Sequence, residues 1–411
     1  MTEQPHILVA NIFFSPYSYG GATIVAEEVA KKLQSDQKLR VSAVSLIKQP
    51  DLMHYQTMKI DGDGIENYVI NVPESRTYAE HYDNPNITQA FAEILDHLNP
   101  DLLHAHCLQE MGTGIFDVAK LKNIPIILSV HDYWWICERQ FMIKPSREFC
   151  AQHPIKIENC RNCVSDFSRA RLRFEKLTND VSKADLVTYP SAYAKELCEA
   201  SGMTSVKSTV WQNGVRLPTP EFFSLQAERR SRDRRTVFGF VGGPSQIKGW
   251  PLLKETFSAL PRSNFKGLLV DGSLDGSWWR DKDISTMQGD WSIVPRFSQD
   301  EMDGFYSEID VLLFLSQWKE TFGLSIRECL ARGIKVVQTD SGGTVEWDGA
   351  NPSTMLAIGD GHEKLALKIN DILDSSTRYT EPLGVTSFAD QAAVLSNHIS
   401  DVLAKNKIRS S

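Results

Sequence analysis

Short apolar runs alternate along this chain with longer amphipathic stretches. The first run, HILVANIFF (6–14), is followed by SPYSYGGA and then by TIVAEEVAKKL, whose apolar residues recur at helical spacing. The same pattern returns in the runs RVSAVSLI, PDLLHAH, IPIILSVHD and ADLVTYPS, with the helix-like stretches ITQAFAEILDHLN and AYAKELCEASG between or after them. Strands that alternate with helices predict an α/β fold with a doubly wound parallel sheet.

A break in this pattern predicts a second domain. Residues 216–235 are rich in proline and charge and poor in periodic apolar residues, so we expect a linker there after an N-terminal domain, 1–215. Six apolar runs then predict a second doubly wound domain, 236–385, and residues 386–411 predict a surface helix that packs back on the N-terminal domain. The runs are TVFGFVGG, FKGLLVDG, WSIVPRF, IDVLLFLS, IKVVQTD and MLAIGD.

Length and composition agree with two folded domains. A chain of 411 residues exceeds the roughly 250–300 residues at which one core stops growing, and 42% hydrophobic with 23% charged residues is ordinary for a globular protein. A net charge of -8 argues against nucleic acid as a partner. The start of the sequence lacks the pattern of a signal peptide, and no run approaches the ~20 apolar residues of a membrane span, so we expect a cytoplasmic protein with at most peripheral membrane contact.

The segment that follows the run IDVLLFLS carries two glutamates with seven residues between them. Glu320 falls in the loop after a buried strand, a helix is predicted from about 321 to 332, and Gly333 ends it. Backbone N–H groups at the start of that helix favour a phosphate or a sugar hydroxyl, and Glu328 lies about two turns further on. Read alone, Glu320 is equally an acid at a helix N-terminus and Glu328 a solvated side chain. The N–H groups belong to Phe322, Gly323 and Leu324.

This segment resembles the donor site of the retaining glycosyltransferases of family 4, also called group 1. The resemblance rests on Glu, Phe-Gly-Leu, the second Glu, Ala-x-Gly and Gly-Gly-x-x-Glu in that order, and it extends through PDLLHAH, VHD, ADLVTYPS, NGV and the KG at Lys248. It implies the GT-B fold, two Rossmann-like domains that face a central cleft. It also implies that Glu320 contacts the donor sugar, Glu328 the ribose, and Lys248 the diphosphate of a nucleotide-sugar donor, most simply a UDP- or GDP-sugar.

One departure from the family affects the phosphate site. The family has an arginine a few residues before the lysine, whereas this chain has Gly242 and Gly243 in FVGGPSQIKG. The second cation is either missing or supplied from elsewhere, with Arg296 and Arg327 as the candidates. Arg296 and Phe297, after WSIVP, are also the candidates for stacking on the nucleotide base, although either can equally be a packing or a solvated residue.

The N-terminal half offers a glycine turn and a histidine. Gly20 and Gly21 follow the first strand, where a glycine pair is often only a turn but also lets backbone N–H groups approach a phosphate. His131 ends the strand IPIILSV, and by resemblance it lines the sugar site and does not bind metal. His104 and His106, in HAH, are expected to be local scaffolding.

Four cysteines follow the motif VHDYWW within an insert at about 137–163. Their spacing, C-x12-C-x9-C-x2-C, ends in a pair that can bind one tetrahedral ion, so a structural zinc is predicted; free thiols or disulfides are the alternatives. The helix FSRARLRFEKL comes next, and its basic residues favour a solvated face or contact with an anionic acceptor or membrane. The cysteines are Cys137, Cys150, Cys160 and Cys163.

The predicted activity is transfer of a sugar, with retention of configuration, to a hydroxyl of a saccharide or lipid-linked saccharide, as in surface polysaccharide synthesis. By resemblance, the reaction occurs on one face of the sugar with no covalent enzyme nucleophile, and no catalytic metal is expected. The alternative is a sugar-nucleotide-binding partner protein with little or no catalysis. A phosphorylase or an epimerase of the same architecture is less well supported, since no motif marks a pyridoxal lysine and the acceptor-side motifs are present.

Overall fold

The computed structural model describes residues 4–410, and the side chains up to residue 408. The chain forms two compact units. The first unit contains residues 4–141, 151–214 and 386–410, and the second contains residues 142–150 and 215–385.

The first unit is built on an eight-stranded sheet of order β3-β4-β2-β1-β5-β6-β7-β8. Neighbouring strands are parallel except for β3, which pairs antiparallel with β4 at one edge. Its elements are β1 (His6–Ala10), α1 (Gly21–Ser35), β2 (Arg40–Ile47), β3 (Thr57–Asp61), β4 (Glu66–Asn71), α2 (Pro85–Leu98), β5 (Leu102–Ala105), α3 (Gly114–Leu121), β6 (Ile126–Ser129), α4 (Phe167–Asp180), β7 (Leu186–Tyr189), α5 (Ala192–Ala200), β8 (Ser208–Val210) and, last in the chain, α11 (Phe388–Ser410).

The second unit has a five-stranded, fully parallel sheet of order β11-β10-β9-β12-β13. Helices cover both faces: α7 and α10 pack on one core, and α6, α8 and α9 pack on the other. Its elements are α6 (Pro220–Arg232), β9 (Thr236–Phe240), α7 (Trp250–Ala259), β10 (Phe265–Asp271), β11 (Asp290–Pro295), α8 (Met302–Glu308), β12 (Val311–Phe314), α9 (Leu324–Ala331), β13 (Lys335–Gln338) and α10 (His362–Asp374).

These strand orders place a switch point in each sheet. In the second unit the chain runs outward from β9 through β10 and β11 and then crosses to β12 on the other side of β9. In the first unit the corresponding neighbours are β1 and β5. Ligands of open α/β sheets bind beyond the carboxyl ends of the strands at such points, so the turns after β9, β12, β1 and β5 are where side chains matter most.

The segment at 216–235 is not the irregular linker that the sequence predicted. Most of it is helix α6, which belongs to the second unit and packs on α8. Phe222 is fully buried, and the Arg229 guanidinium donates two hydrogen bonds, of 2.8 and 3.0 Å, to the buried Asp310 carboxylate. The charges that suggested solvent therefore include a buried ion pair that anchors the helix.

One run near the end of the second unit also differs from the sequence prediction. The run MLAIGD forms no strand; Leu356 makes a single parallel bridge with Thr339. The terminal helix α11 belongs to the first unit, where it packs on α1 and where the Gln391 side chain accepts a hydrogen bond of 2.6 Å from the Gly214 amide. Among the described residues, no helix has the length and apolar character needed to cross a membrane.

Candidate functional site

A lysine and a glutamate form an ion pair at the switch point of the second unit. Lys248 follows β9 and Glu320 follows β12, and the Lys248 Nζ lies 2.7 Å from the Glu320 Oε1. The same carboxylate oxygen accepts a hydrogen bond from the Ser316 hydroxyl. Glu320 is mostly buried and Lys248 is about one-third exposed, with side-chain exposures of 12% and 31%. This arrangement holds a positive and a negative group together at the sheet edge.

The local sequence brings the two turns into contact. Gly249 has φ +84°, and a Cβ there would overlap the backbone of Leu315 after β12, so only glycine allows this approach. The Gln317 amide donates a hydrogen bond of 2.7 Å to the Ile247 carbonyl across the same contact. Lys248 is therefore positioned by its own turn and by the turn that carries Glu320.

The backbone of Glu320 is held by the turn after β13. Its amide donates to the Ser341 carbonyl at 3.1 Å, and its carbonyl accepts from the Gly343 amide at 2.9 Å. Glu320 and Gly342 thereby form an isolated parallel bridge. The Gly-Gly-x-x-Glu motif thus acts in part by fixing the backbone from which the Glu320 side chain projects.

Glu328 lies on α9 in a buried environment. It is 8% exposed, and its Oε2 accepts a hydrogen bond of 2.5 Å from the Tyr306 hydroxyl on α8. Burial raises the pKa of Glu328 above its ordinary value, although the Tyr306 bond and the positive charge of Arg332 act in the opposite direction. Arg332 is itself paired with Asp303, with an Nη2–Oδ1 distance of 2.6 Å.

The helix that follows Glu320 starts later than the sequence predicted. α9 begins at Leu324, and Gly323, with φ +86°, precedes it without a side-chain capping bond. The first-turn amides of this helix have no partner within it, as at any helix start. Phe322 is buried, and the centroid of its ring lies 4.3 Å from the Arg327 guanidinium carbon. Its side chain therefore packs inside the protein.

Arg327 does not supply the missing second cation. Its two terminal nitrogens donate to four backbone carbonyls at 2.6–2.9 Å, and the side chain is buried. Burial lowers the pKa of the guanidinium to about 10, so it stays charged at neutral pH. It ties the start of α9 to the turn after β13, and a phosphate could reach it only by displacing these bonds. The carbonyls belong to Phe322, Gly343, Thr344 and Glu346.

The space beside the glycine turn is filled in a way that explains the absent arginine. A Cβ on Gly243, which has φ +68°, would lie 2.6 Å from the Trp278 Cε3, and a Cβ on Gly242 would lie 3.1 Å from the Lys248 Cβ. Gly272, after β10, faces the same indole, since a Cβ added there would lie 2.7 Å from the Trp278 Cη2. Trp278 is 42% exposed. An arginine at 243 would therefore displace this indole.

The residues proposed for the base lie after β11, two strands from β9. Arg296 is exposed, and Pro295 ends the strand. Phe297 stacks on Phe305, with ring centroids 4.8 Å apart and an interplanar angle of 15°. One face of Phe297 is thus already covered by protein, which leaves Arg296 as the more accessible group.

In the first unit, the sequence-predicted residues lie at the turns after β1 and β6. α1 begins at Gly21, and Gly20 has φ +84°. The His131 Nε2 lies 2.8 Å from the His106 Nδ1, and His106 in turn contacts His104. Burial lowers the pKa of His131 to about 4, so the ring is neutral at neutral pH. The two histidines of HAH, expected to be scaffolding, are therefore hydrogen-bonded to His131 through a continuous chain.

The cysteine insert contains a hairpin and a short 3₁₀ helix. Residues 142–150 form the hairpin, and Ile157–Cys160 form the helix. Within the described part of the chain, no three side chains of His, Cys, Asp or Glu are grouped so as to hold a metal ion. The structural zinc at Cys137, Cys150, Cys160 and Cys163 stays a prediction.

Several residues of these sites gave no signal in the sequence. Tyr306 and Trp278 reach the site from other elements, and nothing in their spacing connects them with the glutamates or the glycine turn. Ser316 lies in the same turn as Glu320, but nothing in the sequence indicated that its hydroxyl donates to that carboxylate. His106 stood in a visible motif, but its contact with His131 depends on the pairing of β5 with β6.

The fold, with two doubly wound α/β units, is that of the GT-B class of glycosyltransferases. Two family descriptions match the sequence: Glycosyltransferase Family 4 over residues 19–217, and Glycosyl transferases group 1 over residues 222–382. The chain belongs to this group 1, family 4 class of glycosyltransferases. The family prediction made from the motifs is confirmed.

Similar proteins agree in fold. Sucrose-phosphate synthase from Thermosynechococcus elongatus superposes with a TM-score of 0.65 at 14% identity. The superposition includes 98% of this chain and 97% of the synthase chain. Anabaena HepE in complex with UDP-glucose gives 0.61 at 16% identity over 98% of both chains. An uncharacterised 42.6 kDa protein in the cps region of Klebsiella pneumoniae is 22% identical over 361 residues, 83% of this chain and 87% of that one.

Proposed function

We propose that this glycosyltransferase moves a sugar, with retention, from a nucleotide diphosphate sugar to a hydroxyl of a saccharide or lipid-linked saccharide. The observation that carries the proposal is the Lys248–Glu320 pair at the switch point of the second unit, 2.7 Å apart. A cation and a sugar-binding carboxylate side by side suit a sugar diphosphate. The UDP-glucose complex of Anabaena HepE supports a nucleotide sugar as donor, and we propose a UDP- or GDP-sugar.

We assign roles on this basis. Lys248 neutralises the diphosphate as it leaves, the step at which negative charge develops. Glu320 binds sugar hydroxyls, and Glu328 receives the ribose by exchanging its Tyr306 bond for ribose hydroxyls. Backbone amides complete the phosphate site, and Arg296 lies beside the base. In the second unit, the amides are those of Gly243, Phe322, Gly323 and Leu324. For the first unit by itself, we propose that the amides of Gly20 and Gly21 bind a phosphate oxygen.

The chemistry follows from these roles. No carboxylate is needed as a nucleophile if the acceptor hydroxyl attacks on the face from which the diphosphate departs, with the leaving phosphate taking its proton. His131 then offers a hydrogen bond to the donor sugar. Glu320 is a binding residue in this scheme, and isolation of a glycosyl-enzyme on Glu320 would contradict it.

The acceptor is proposed from one relative and from exposed basic side chains. The Klebsiella relative is described as lying in a cps region, which agrees with surface polysaccharide synthesis in the cytoplasm. Arg169 and Arg171 on α4 are more than half exposed and could meet an anionic acceptor or membrane surface. Arg173 is buried and donates to the Trp134 carbonyl at 2.6 Å, so it is not part of that surface.

A thermal-shift screen against UDP, GDP and their sugars tests the donor. A ligand at 100 times its Kd adds about 2.7 kcal/mol to stability, so one nucleotide should stand out. K248M should lose most of this shift, whereas K282M, at an exposed lysine of the same unit, should keep it. Transfer with the identified donor, followed by NMR of the product anomer, tests retention; an inverted product would refute it.

The second candidate is a sugar-nucleotide-binding partner protein with little catalysis. The observation in its favour is the indole of Trp278 beside Gly243, where the family has a second cation. Nucleotide binding without hydrolysis or transfer of any UDP- or GDP-sugar, across saccharide acceptors, would favour this candidate.

A further inference from the structure

A continuous chain of hydrogen bonds runs through the first unit from β7 to His131. The Thr188 hydroxyl lies 2.8 Å from the Ser129 hydroxyl, which lies 2.8 Å from the His104 Nε2. The His104 Nδ1 lies 3.3 Å from the His106 Nε2, and the His106 Nδ1 lies 2.8 Å from the His131 Nε2. Five side chains from three neighbouring strands and the turns that follow them are thereby joined end to end.

The three imidazoles are neutral. His104 and His106 are each 1% exposed. Burial lowers the pKa of His104 to about 3, that of His131 to about 4 and that of His106 well below its ordinary value. Each ring at neutral pH therefore has one N–H donor and one bare nitrogen.

The hydrogen bonds along a chain of neutral imidazoles must all run in the same donor-to-acceptor direction. If His106 donates from Nδ1 to His131, its Nε2 is bare and must accept from the His104 Nδ1–H, and the His104 Nε2 must then accept from Ser129. In the opposite arrangement, every bond is reversed and the His104 Nε2–H donates to Ser129. The protonated nitrogen of His131 is Nδ1 in the first arrangement and Nε2 in the second.

The Ser129 and Thr188 hydroxyls, at the other end of the chain from His131, distinguish these two arrangements. In the first, Thr188 donates to Ser129 and Ser129 donates to His104, so both hydroxyl protons are bonded. In the second, Ser129 must donate to Thr188, and the Thr188 proton needs another acceptor. Within residues 4–410, Ser129 is the one side chain to which the Thr188 hydroxyl is hydrogen-bonded, and Thr188 is fully buried. A buried donor left unbonded is strongly disfavoured.

We propose that the Ser129 and Thr188 hydroxyls fix the tautomers of the three histidines, so that His131 has its proton on Nδ1. His131 then acts as a hydrogen-bond donor from Nδ1, and Ser129, His104 and His106 are positioning residues that act through it. The inference deepens the proposed function, on which it rests for the role of that donor; the tautomer itself is independent of any activity.

Imidazole ¹⁵N NMR of the histidine-labelled full chain tests the tautomer, because protonated and bare ring nitrogens have well-separated shifts. Wild-type His131, assigned with H131N, should show a protonated Nδ1 and a bare Nε2. A proton on Nε2 would overturn the proposal, and this measurement needs no folded positioning variant.

S129A tests the direction-setting role. It removes the hydroxyl that donates to the His104 Nε2, so no group at that end selects a direction and His131 should become a mixture of tautomers. S42A is the matched control, since it removes a buried serine–histidine contact of 3.0 Å with His6 in the same sheet. The control should keep the wild-type spectrum. A His131 tautomer unchanged in S129A would refute the proposal.

A kinetic arm relates the tautomer to the proposed function. If only the Nδ1–H form binds the donor productively, halving its population should raise the donor KM about twofold, with S42A unaffected. Absence of any transfer by the wild-type enzyme would count against the proposed function and leave the NMR result standing. A tautomer mixture with an unchanged KM would refute the assignment of the Nδ1–H to the donor.

Discussion

The E320Q substitution separates the two roles proposed for the Lys248–Glu320 pair. Glutamine keeps the size of the side chain and an oxygen that can accept from Ser316, but it removes the negative charge 2.7 Å from the Lys248 Nζ. In the wild type, Lys248 must weaken its bond with Glu320 when it turns to a diphosphate. In E320Q that competition is smaller.

The expected effects of E320Q on nucleotide binding and on turnover have opposite signs. A charge-assisted hydrogen bond is about twice as strong as a neutral one, and a typical charged bond is worth about 1.5–3 kcal/mol. Weaker competition for Lys248 should therefore tighten UDP or GDP binding by about 1 kcal/mol, or about fivefold. Loss of a charged bond to a sugar hydroxyl in the transition state should lower kcat/KM by about 10- to 150-fold.

Isothermal titration with the free nucleotide and steady-state transfer measure the two effects. K248M should weaken nucleotide binding, and E320Q in the K248M background should no longer tighten it, because the competing bond is gone. Tenfold weaker nucleotide binding by E320Q would refute the idea that the carboxylate competes for Lys248. Unchanged kcat/KM would show that Glu320 does not bind the sugar.

Three further substitutions and one analysis test the rest of the site. E328Q keeps an acceptor for the Tyr306 hydroxyl but removes a carboxyl group whose pKa is raised by burial. Such a group contributes less to the stability of the folded protein as pH rises from about 4.3, the ordinary glutamate value. Urea unfolding at pH 5 and pH 8 should therefore show E328Q gaining stability over the wild type at the higher pH, and an equal difference at both pH values would contradict this. R327M leaves four carbonyls without their donor and should lower the melting temperature by an amount equivalent to at least about 3 kcal/mol. G243A places a side chain at positive φ against the Trp278 indole and should lower the free energy of unfolding by about 1–2 kcal/mol or more. G304A, which has open space at its Cβ, is the control and should not destabilise the protein. Altered tryptophan fluorescence is expected for G243A only. Metal analysis of protein purified without chelator should give zinc in near-equimolar amount if the cysteine site exists, and less than about a tenth of an equivalent would end that prediction.

The fold was predictable where burial alone decides the structure. Runs such as HILVA and VLLF are buried on both faces, and such strands need no alternation to be recognised. β3, β4 and β8 were not predicted. β3 and β8 lie at the two edges of the sheet and are not fully buried, and the buried run of β4, ENYVIN, is interrupted by asparagines. Helix α6 was misread because its mean polarity is high and its anchoring comes from Arg229 pairing with Asp310.

The site was predictable where its residues are contiguous and not where partners come from elsewhere. Glu320 and the glycine turn could be placed at strand ends from sequence alone, and Glu328 could be placed on the helix that follows Glu320. Arg327 seemed available as a cation in the sequence, but its donors are satisfied by four carbonyls on two turns. Tyr306 could not be paired with Glu328, since the contact depends on how α8 packs against α9.

In the proposed phosphate site, Lys248 lies beside aromatic side chains. The Lys248 Nζ lies 5.8 Å from the Trp318 ring centroid and 6.0 Å from that of Phe314, and its stem rests against Gly242. Trp278 covers the neighbouring glycine turn. Rings that displace water lower the local dielectric, and a single cation then interacts with a developing charge more strongly than it would in solvent. The glycines that exclude an arginine are the same ones that admit the indole and the lysine stem. Under the proposed function, Lys248 and the rings beside it stand where the family has two cations, and we expect departure of the diphosphate to depend on Lys248.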